Sequence, residues 1–240
     1  LNRYNMEEPE LRVGGWEKEG KRRWVKRFFT LLLISLLGFL TVGPTLIEYK
    51  MAEPSQSNLY LSTGVWNGPF EQDYTKEFNG HFKITSLIYE TTDVSSGRLV
   101  IMSISSLVNV ESQIGSIVVE KIKQTAEEEG LTLVGTGTVL SEKNENLPAN
   151  TVMYKWDARI KEAAGFFEQL GVGEILQVKT IFWTESDGVI SLNGGFQTII
   201  CMAFGVNQIT INQATEIVES VSCLLYTSPS PRDRGCARMP

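Results

Sequence analysis

Few residues in this chain have the chemistry for catalysis. The chain has one histidine, His81, and three cysteines, of which Cys223 and Cys236 lie in a C-terminal tail unlike the rest. Zinc sites need His and Cys in pairs, and a Ser–His–acid triad would have to use His81. Cys201 stands in the apolar run IICMAFG, where a lone cysteine is typical of a small buried side chain. We therefore predict no metal, no cofactor and no catalytic residue.

One short segment has the composition of a recognition loop. The sequence WNGPF at 66–70 places two aromatic side chains around a predicted turn. Tryptophan is enriched at the energetic centres of interfaces, so Trp66, Asn67 and Phe70 are candidates for an exposed binding surface. The alternative is a turn whose aromatic side chains cover the core.

The glycine pair Gly194-Gly195 marks a second candidate binding site. Gly194 and Gly195 interrupt a long strand pattern, which favours a bulge or the close approach of another backbone. A small pocket is predicted there. The run GTGT at 135–138 lacks both the lysine of a phosphate-binding loop and the third glycine of a dinucleotide fingerprint, so it predicts no nucleotide site.

These candidates follow a segment with the length and composition of a membrane span. Phe28–Ile47 holds twenty residues without a charge, which at about 1.5 Å each match a hydrocarbon core about 30 Å thick. The basic block Lys21–Arg27 precedes it and favours a cytoplasmic N-terminus with the remainder outside. The alternative is a cleaved signal peptide, whose apolar core is usually about 7–15 residues long. We predict an uncleaved anchor in the cell membrane.

Charge differs between the two sides of this anchor. Residues 1–27, the predicted cytoplasmic tail, carry eight Lys/Arg and five Asp/Glu, a net charge of +3. Residues 48–222 carry eleven Lys/Arg and twenty-two Asp/Glu, a net charge of −11. Because an acidic domain repels phosphate backbones, nucleic acid is not expected as a partner. The expected partners are the membrane and another membrane or envelope protein.

The C-terminal tail is expected to be foreign to the fold. Cys223–Asp233, CLLYTSPSPRD, resembles translated adapter sequence from sequencing libraries, and 223–240 has no apolar periodicity. A disordered extension rich in Pro, Ser and Arg is the alternative. Removing 223–240 is therefore predicted to leave stability unchanged, unless Cys201 and Cys223 form a disulfide.

Between anchor and tail, 48–58 is predicted to be a polar linker and 59–222 a single domain of ordinary size. Extended patterns rich in Val, Ile and Leu recur along the domain, with turn residues between them. The predicted strands are Leu59–Val65, Phe82–Tyr89, Arg98–Ser105, Leu131–Leu140, Thr151–Ile160, Glu174–Thr184 and Val189–Ala203.

Two amphipathic helices are predicted, Glu111–Glu129 and Thr210–Val221, each with an apolar stripe at three- and four-residue spacing. Gly130 is expected to end the first helix. Thr210 with Gln213 resembles a capping box at the start of the second. The order of strands, helix, hairpin strands and helix predicts an α+β fold with a largely antiparallel sheet flanked by helices.

The alternation of Thr151–Ile160 predicts which side chains are buried. Trp156 faces a core, whereas Asp157 and Arg159 face away from it. We expect Trp156 and the two helix stripes, represented by Ile117 and Ile217, to meet in one core. The opposite face of the sheet is then expected to be covered by the segment Lys161–Gly173.

The order of elements is similar to that of the PsbP/Mog1-like α/β/α sandwich. That family has a central antiparallel sheet, a helix after the first hairpin and a closing helix. The resemblance extends over Glu111–Glu129, Thr151–Ile160, 178–196 and Thr210–Val221, with the closing helix ending in ESVS at 219–222. Many members are extracytoplasmic accessory or lipid-anchored proteins. The resemblance therefore implies an accessory role, although fold analogy does not assign function.

Three classes of function remain open. The first is a membrane-anchored accessory or binding protein that faces outward, and the second is an enzyme of unrecognised type. The third is a pilin-like surface subunit, because RFFTL at 27–31 resembles the start of a pilin helix. That segment departs from the pilin pattern, since no Gly or Ala precedes Phe28 and no Glu occupies the fifth apolar position. The first class is our expectation.

Overall fold

Helices and strands follow one another in an α+β order. The structure, a computed structural model, describes residues 15–77, 80–93, 96–107, 111–141, 144–162, 165–185 and 196–225. The helices are α1 (Gly15–Leu46), α2 (Leu59–Ser62), α3 (Glu111–Glu128) and α4 (Gln208–Glu219), with a 3-10 turn at Gly165–Phe167. The strands are β1 (Lys50–Glu53), β2 (Trp66–Glu77), β3 (Phe82–Thr91), β4 (Gly97–Ser106), β5 (Leu131–Leu140), β6 (Val152–Ile160), β7 (Ile175–Glu185), β8 (Phe196–Gly205) and β9 (Ser222–Leu225).

The chain divides into two units between Gly43 and Pro44, and most of α1 lies in the first. Its segment Trp24–Leu46, 23 residues long, is long and apolar enough to cross a membrane. Most of its large apolar side chains are exposed within the unit, which suits contact with lipid. Near its basic end Trp24 stacks on Phe28 with ring centroids 5.8 Å apart, and tryptophan is enriched at membrane–water interfaces.

The second unit is built on a seven-stranded antiparallel sheet with the strand order β2-β3-β4-β8-β7-β6-β5. Strands β4 and β8 occupy its centre, and every residue of both strands is buried. Most of their residues are apolar, as expected of central strands covered on two faces, and the polar exceptions such as Arg98 and Gln197 are buried too.

Helix α3 covers one face of the sheet. Val118, Ile122 and Ala126, spaced four residues apart, are almost fully buried against the strands. Gly130 follows the helix with φ of +72°, a conformation that glycine adopts without strain and that ends the helix as expected. Phe167, in the 3-10 turn, is fully buried on this same face.

Helix α4 covers the opposite face, together with a two-stranded ribbon of β1 and β9. Ile211, Ala214, Ile217 and Val218 form the buried stripe of the helix. The ribbon adds Met51 and Ala52 to this second core. The domain is therefore an α/β/α sandwich with two separate apolar layers, rather than a sheet with one covered face.

The expectation that Trp156, Ile117 and Ile217 share one core is therefore wrong. Trp156 belongs to the layer under α3, and Ile217 to the layer under α4. Ile117 is only half-buried and borders a cavity. The described part of the segment Lys161–Gly173 packs on the α3 face, where Phe167 joins the α3 layer, and not on the opposite face of the sheet. The apolar stripe of an amphipathic helix predicts which side of the helix is buried. It does not predict which face of the sheet the helix packs on.

The chain after α1 belongs to the domain rather than to a linker. The Lys83 ammonium donates a hydrogen bond to the carbonyl of Ile47 and lies 5.1 Å from the ring centroid of Tyr49. Thr85 Oγ1 donates to the carbonyl of Lys50 at 2.8 Å. Residues 48–58, expected to be a polar linker, therefore include β1 and are held against β3.

Three local expectations differ from the structure. Leu59–Val65 begins as α2, because the Asn58 side chain accepts a hydrogen bond from Tyr60 N and caps a short helix instead of a strand. The segment after it forms β2, a mostly exposed edge strand whose polar sequence resembles a loop. Helix α4 is capped by Asn207, whose Oδ1 accepts from Thr210 N at 2.9 Å.

A glycine allows the largest aromatic residue of β6 to pack against its neighbour. A Cβ atom at Gly137 of β5 would overlap the indole ring of Trp156. On its other side Trp156 stacks on Tyr154, with ring centroids 5.1 Å apart. The GTGT run therefore has a packing role at Gly137, where the indole lies directly on the backbone of the edge strand.

The burial pattern of β6 predicts a contrast between neighbouring residues. Trp156 is 6% exposed, whereas Arg159 is exposed on the opposite face. We expect Trp156→Ala to lower the free energy of unfolding by about 3–5 kcal/mol, and Arg159→Ala by less than about 1 kcal/mol. Urea unfolding of the full chain in detergent measures both changes. The reverse order would mean that the register of β6 is shifted by one residue.

The β1–β9 ribbon changes what is expected of the tail. Cys223, Leu224 and Leu225 pair with Ala52, Met51 and Lys50. Deletion of 223–240 is now predicted to cost about 1–3 kcal/mol, at about 1 kcal/mol for each net hydrogen bond lost.

Deletion of 226–240 is the matched control, because that stretch has no apolar periodicity, and we expect a change within about 0.5 kcal/mol. Thermal unfolding of the two truncated chains tests the difference. Equal stability would show that the β1–β9 pairing contributes nothing.

Candidate functional site

A cavity of about 280 Å³ lies between the N-terminal half of α4 and strands β6 and β7. We call it the α4 cavity. Its lining is mostly polar, with two ammonium groups and three amide side chains among a few apolar residues. The lining residues are Leu140, Lys155, Gln177, Val178, Lys179, Gln208, Ile211 and Asn212. Convergent polar groups in a concave site are typical of small-ligand binding.

The two lysines reach the α4 cavity from adjacent strands. Lys155 of β6 lies directly opposite Lys179 of β7 in the antiparallel register. Side chains in such positions start about 4.5–5.5 Å apart at Cβ, and like charges directly opposite each other are unfavourable. The pair thus concentrates positive charge in a domain that is acidic overall.

Amide groups complete the α4 cavity. Gln177 lies on the same strand face as Lys179, and its Oε1 is buried without a hydrogen-bond donor among the described residues. On α4, Gln208 Nε2 donates to Asn212 Oδ1 at 2.9 Å, which leaves the Asn212 amide hydrogens available as donors. The cavity therefore offers ammonium and amide donors together with one buried acceptor.

A second cavity, about 440 Å³ in volume, opens between α3 and the β2–β3–β4 part of the sheet. Its apolar walls are Phe82, Ile84, Ile104 and Ile117. Charged side chains stand at its rim, where Lys121 Nζ of α3 pairs with Glu77 Oε1 of β2 at 2.5 Å. This ion pair links α3 to the edge strand β2, and both of its residues line the cavity.

A cluster of charged residues surrounds the buried Arg98 on the α3 face. Arg98 of β4 is 7% exposed and forms ion pairs with Glu129 at 2.8 Å, with Glu90 at 3.6 Å and with Glu71 at 3.7 Å. Its Nε is buried without a partner among the described residues. Three carboxylates around one guanidinium leave an excess of negative charge, and the side chains of Glu129, Glu90 and Glu71 are 9%, 23% and 63% exposed.

This excess governs the ionisation of Glu129. Burial raises the pKa of Glu129 from 4.5 to about 7, although the Arg98 guanidinium acts in the opposite direction. The nearby carboxylates of Glu71, Glu90 and Glu128 raise this pKa further. Burial also raises the pKa of Glu90. The cluster therefore holds a proton near neutral pH that an unfolded chain would release.

The structure separates the residues of the predicted recognition loop. Trp66 is fully buried under α4, and its Nε1 donates to Gln213 Oε1 at 3.3 Å. Asn67 and Phe70 are exposed on β2, and Phe70 has an exposed fraction of 58%. Trp66 therefore belongs to the core, and only Asn67 and Phe70 remain available for recognition. Gly194 and Gly195 lie outside the described residues.

The residues with catalytic chemistry are not brought together. His81 lies in the turn between β2 and β3, whereas Cys201 is buried in the middle of β8. The register places Phe82 in line with Phe196, five positions from Cys201, or about 16 Å along the strands at about 3.3 Å per residue. Within the part of the chain that the structure describes, no three His, Cys, Asp or Glu side chains are grouped to hold a metal.

Neither the protein-family models nor the curated proteins gave a match to this chain. The geometry alone therefore selects the α4 cavity as the candidate site, because its polar groups converge on one space. Sequence reasoning assigned Asp157 and Arg159 to the polar side of β6 but did not single out Lys155. The pairing of β6 with β7, which brings Lys179 opposite Lys155, carries no local sequence signal.

The raised pKa of Glu129 predicts a pH dependence of stability. The folded state binds a proton more tightly than the unfolded state, so its contribution is complete below about pH 4.5 and disappears as the pH rises through about 7. We expect the free energy of unfolding to fall between pH 5 and 8 in the wild type, and less so in Glu129→Gln.

Glu127→Gln removes an exposed carboxylate from the same helix end and serves as the control. Urea midpoints at pH 5 and pH 8 compare the three proteins. An equal pH dependence in wild type and Glu129→Gln would show that Glu129 is not the group that titrates.

Proposed function

We propose that this chain is a membrane-anchored binding protein whose α/β/α domain faces outward from the cytoplasm. The observation that carries the proposal is the succession of a helix able to span a membrane and a domain with a polar, concave cavity. The order of elements and the helix on each face of the sheet also support a relation to the PsbP/Mog1-like sandwich, with the accessory role that it implies.

The charge distribution supports this orientation. The block Lys21–Arg27 stands before the span, and positive charge close to a span favours the cytoplasmic side. The acidic domain follows the span, and its net negative charge does not draw it to anionic lipid. The anchor therefore supplies the membrane attachment, and the domain extends into the aqueous phase.

The chemistry of the α4 cavity favours binding over catalysis. The side chains of Lys155, Lys179 and Asn212 line it and carry hydrogen-bond donors. Such groups hold an anionic molecule in place without taking a proton from it. A binding or accessory protein needs this property, whereas a general base would need an acceptor that titrates near neutral pH.

Site-directed labelling tests the orientation. In a chain with Cys223 and Cys236 replaced by Ser, Glu127→Cys places a thiol on the exposed end of α3. We expect a membrane-impermeant maleimide to label this variant in intact cells. Glu17→Cys, before the basic block, is expected to react only after lysis.

The parent chain with Cys223 and Cys236 replaced by Ser still contains the buried Cys201. Its labelling measures the background from Cys201, which is subtracted from that of the two variants. Labelling of Glu17→Cys but not Glu127→Cys in intact cells would reverse the orientation. A shorter chain that has lost its N-terminal segment would indicate a cleaved signal sequence instead of an anchor.

A further inference from the structure

We propose that the second cavity of the domain takes up one acyl chain of a zwitterionic membrane phospholipid. This cavity, which we call the α3 cavity, lies between α3 and the β2–β3–β4 part of the sheet. The inference goes beyond the proposed function, because it assigns a second site, and it rests on the membrane anchor alone. Its support comes from the apolar walls, from the position of the cavity beside the end of the span, and from the charges at its rim.

The walls of the α3 cavity suit a hydrocarbon chain. Phe82 and Ile84 of β3, Ile104 of β4 and Ile117 of α3 line it, and Ile84 lies directly opposite Ile104 in the strand register. Water against such walls is unfavourable, whereas an acyl chain that enters from a bilayer moves from one apolar environment into another. The remaining lining residues are polar, so the cavity matches a molecule with an apolar chain and a polar head.

The chain leaves the membrane beside the α3 cavity. The span ends one residue before Ile47, and its last residues, from Pro44 on, belong to the same unit as the domain. A Cβ atom added to Gly80 would lie 3.2 Å from Pro44 Cβ, and Lys83 Nζ donates a hydrogen bond to the carbonyl of Ile47. Phe82 lies between these two contacts, at most about 7 Å along the chain from Gly80. The apolar wall therefore begins close to the membrane surface, where lipid is the nearest apolar ligand.

The charges at the rim select the head group. Lys121 Nζ donates to Glu77 Oε1 and, at 3.1 Å, to Gln124 Oε1, so its charge is already paired. Glu120, which is exposed, adds a second carboxylate to the lining. Among the described lining residues two carboxylates therefore accompany one ammonium, which disfavours an anionic head group or the carboxylate of a free fatty acid. A zwitterionic head group brings an ammonium of its own for Glu120.

Photocrosslinking of the full chain in vesicles tests the inference. The vesicles consist of phosphatidylcholine and phosphatidylethanolamine, with a small fraction of phosphatidylethanolamine that carries a diazirine near the end of one acyl chain. Mass spectrometry then locates the adducts. We expect adducts on the span and, in addition, on the apolar lining residues Phe82, Ile84, Ile104 and Ile117.

Two substitutions of the half-buried Ile117 change the cavity in different ways. Ile117→Asp is expected to lower the yield of lining adducts, relative to span adducts, at least about tenfold, because a carboxylate beside the acyl chain would lose its hydration. Ile117→Trp fills the cavity with an apolar ring and is expected to cause a similar loss. The second variant separates occupation of the cavity from an effect of charge alone.

Val119→Asp is the matched control, because Val119 is also half-buried on α3 but lies outside the lining. It is expected to keep the wild-type adducts, and circular dichroism of each variant checks the fold. The inference is overturned if the lining residues carry no adduct, if the exposed Phe70 and Val172 are labelled as strongly as the lining, or if both Ile117 variants label like wild type. It is also overturned if Val119→Asp loses as much labelling as Ile117→Asp.

A fatty acid with the same diazirine, at the same molar fraction, tests the source of the chain. Labelling of the lining by the fatty acid as strongly as by the phospholipid would overturn the phospholipid as the ligand. Adducts on the span without adducts on the lining would reject the lipid site and retain the anchor. Absence of adducts on the span would reject the anchor and the lipid site together, so the two proposals fail by different results.

Discussion

The pairing of β4 with β8 is the contact on which the rest of the fold depends. Ten residue pairs join these strands, and all of their side chains are buried between α3 on one face and α4 with its ribbon on the other. The apolar layers on both faces converge on this pair. The remaining strands extend the sheet outward from this pair. The charged cluster around Arg98 lies near the start of β4 on the α3 face, and the α4 cavity lies on the other face.

The sequence predicts the parts of this fold that have a local signal. Helix α3, the closing helix and the alternation of β6 follow from apolar periodicity, and the antiparallel α+β class follows from their order. Strand β2 was not predicted, because an edge strand exposed along most of its length has no apolar face. Ile217 and Trp156 lie on opposite faces of the sheet, and this placement also has no local sequence signal, since tertiary packing decides which face a helix covers.

The candidate site depends even more on distant pairing. Polar residues such as Lys155 and Gln177 resemble ordinary solvated positions in the sequence, and only the register of β6 with β7 brings the second lysine opposite the first. Trp66, by contrast, was a candidate because of its residue type, and it is buried because α4 packs over it. A residue type suggests chemistry, but tertiary contacts decide whether that chemistry reaches a cavity.

The ribbon of β1 and β9 also determines how the domain resists tension. Lys50, four residues after α1 ends, is opposite Leu225, so the chain enters and leaves the ribbon at the same end. A pull applied between residues 50 and 225 would load the ribbon's hydrogen bonds one after another, as in a zipper, instead of all at once in shear. The ribbon would then peel away from the α4 layer at low force, before the long central strands are loaded.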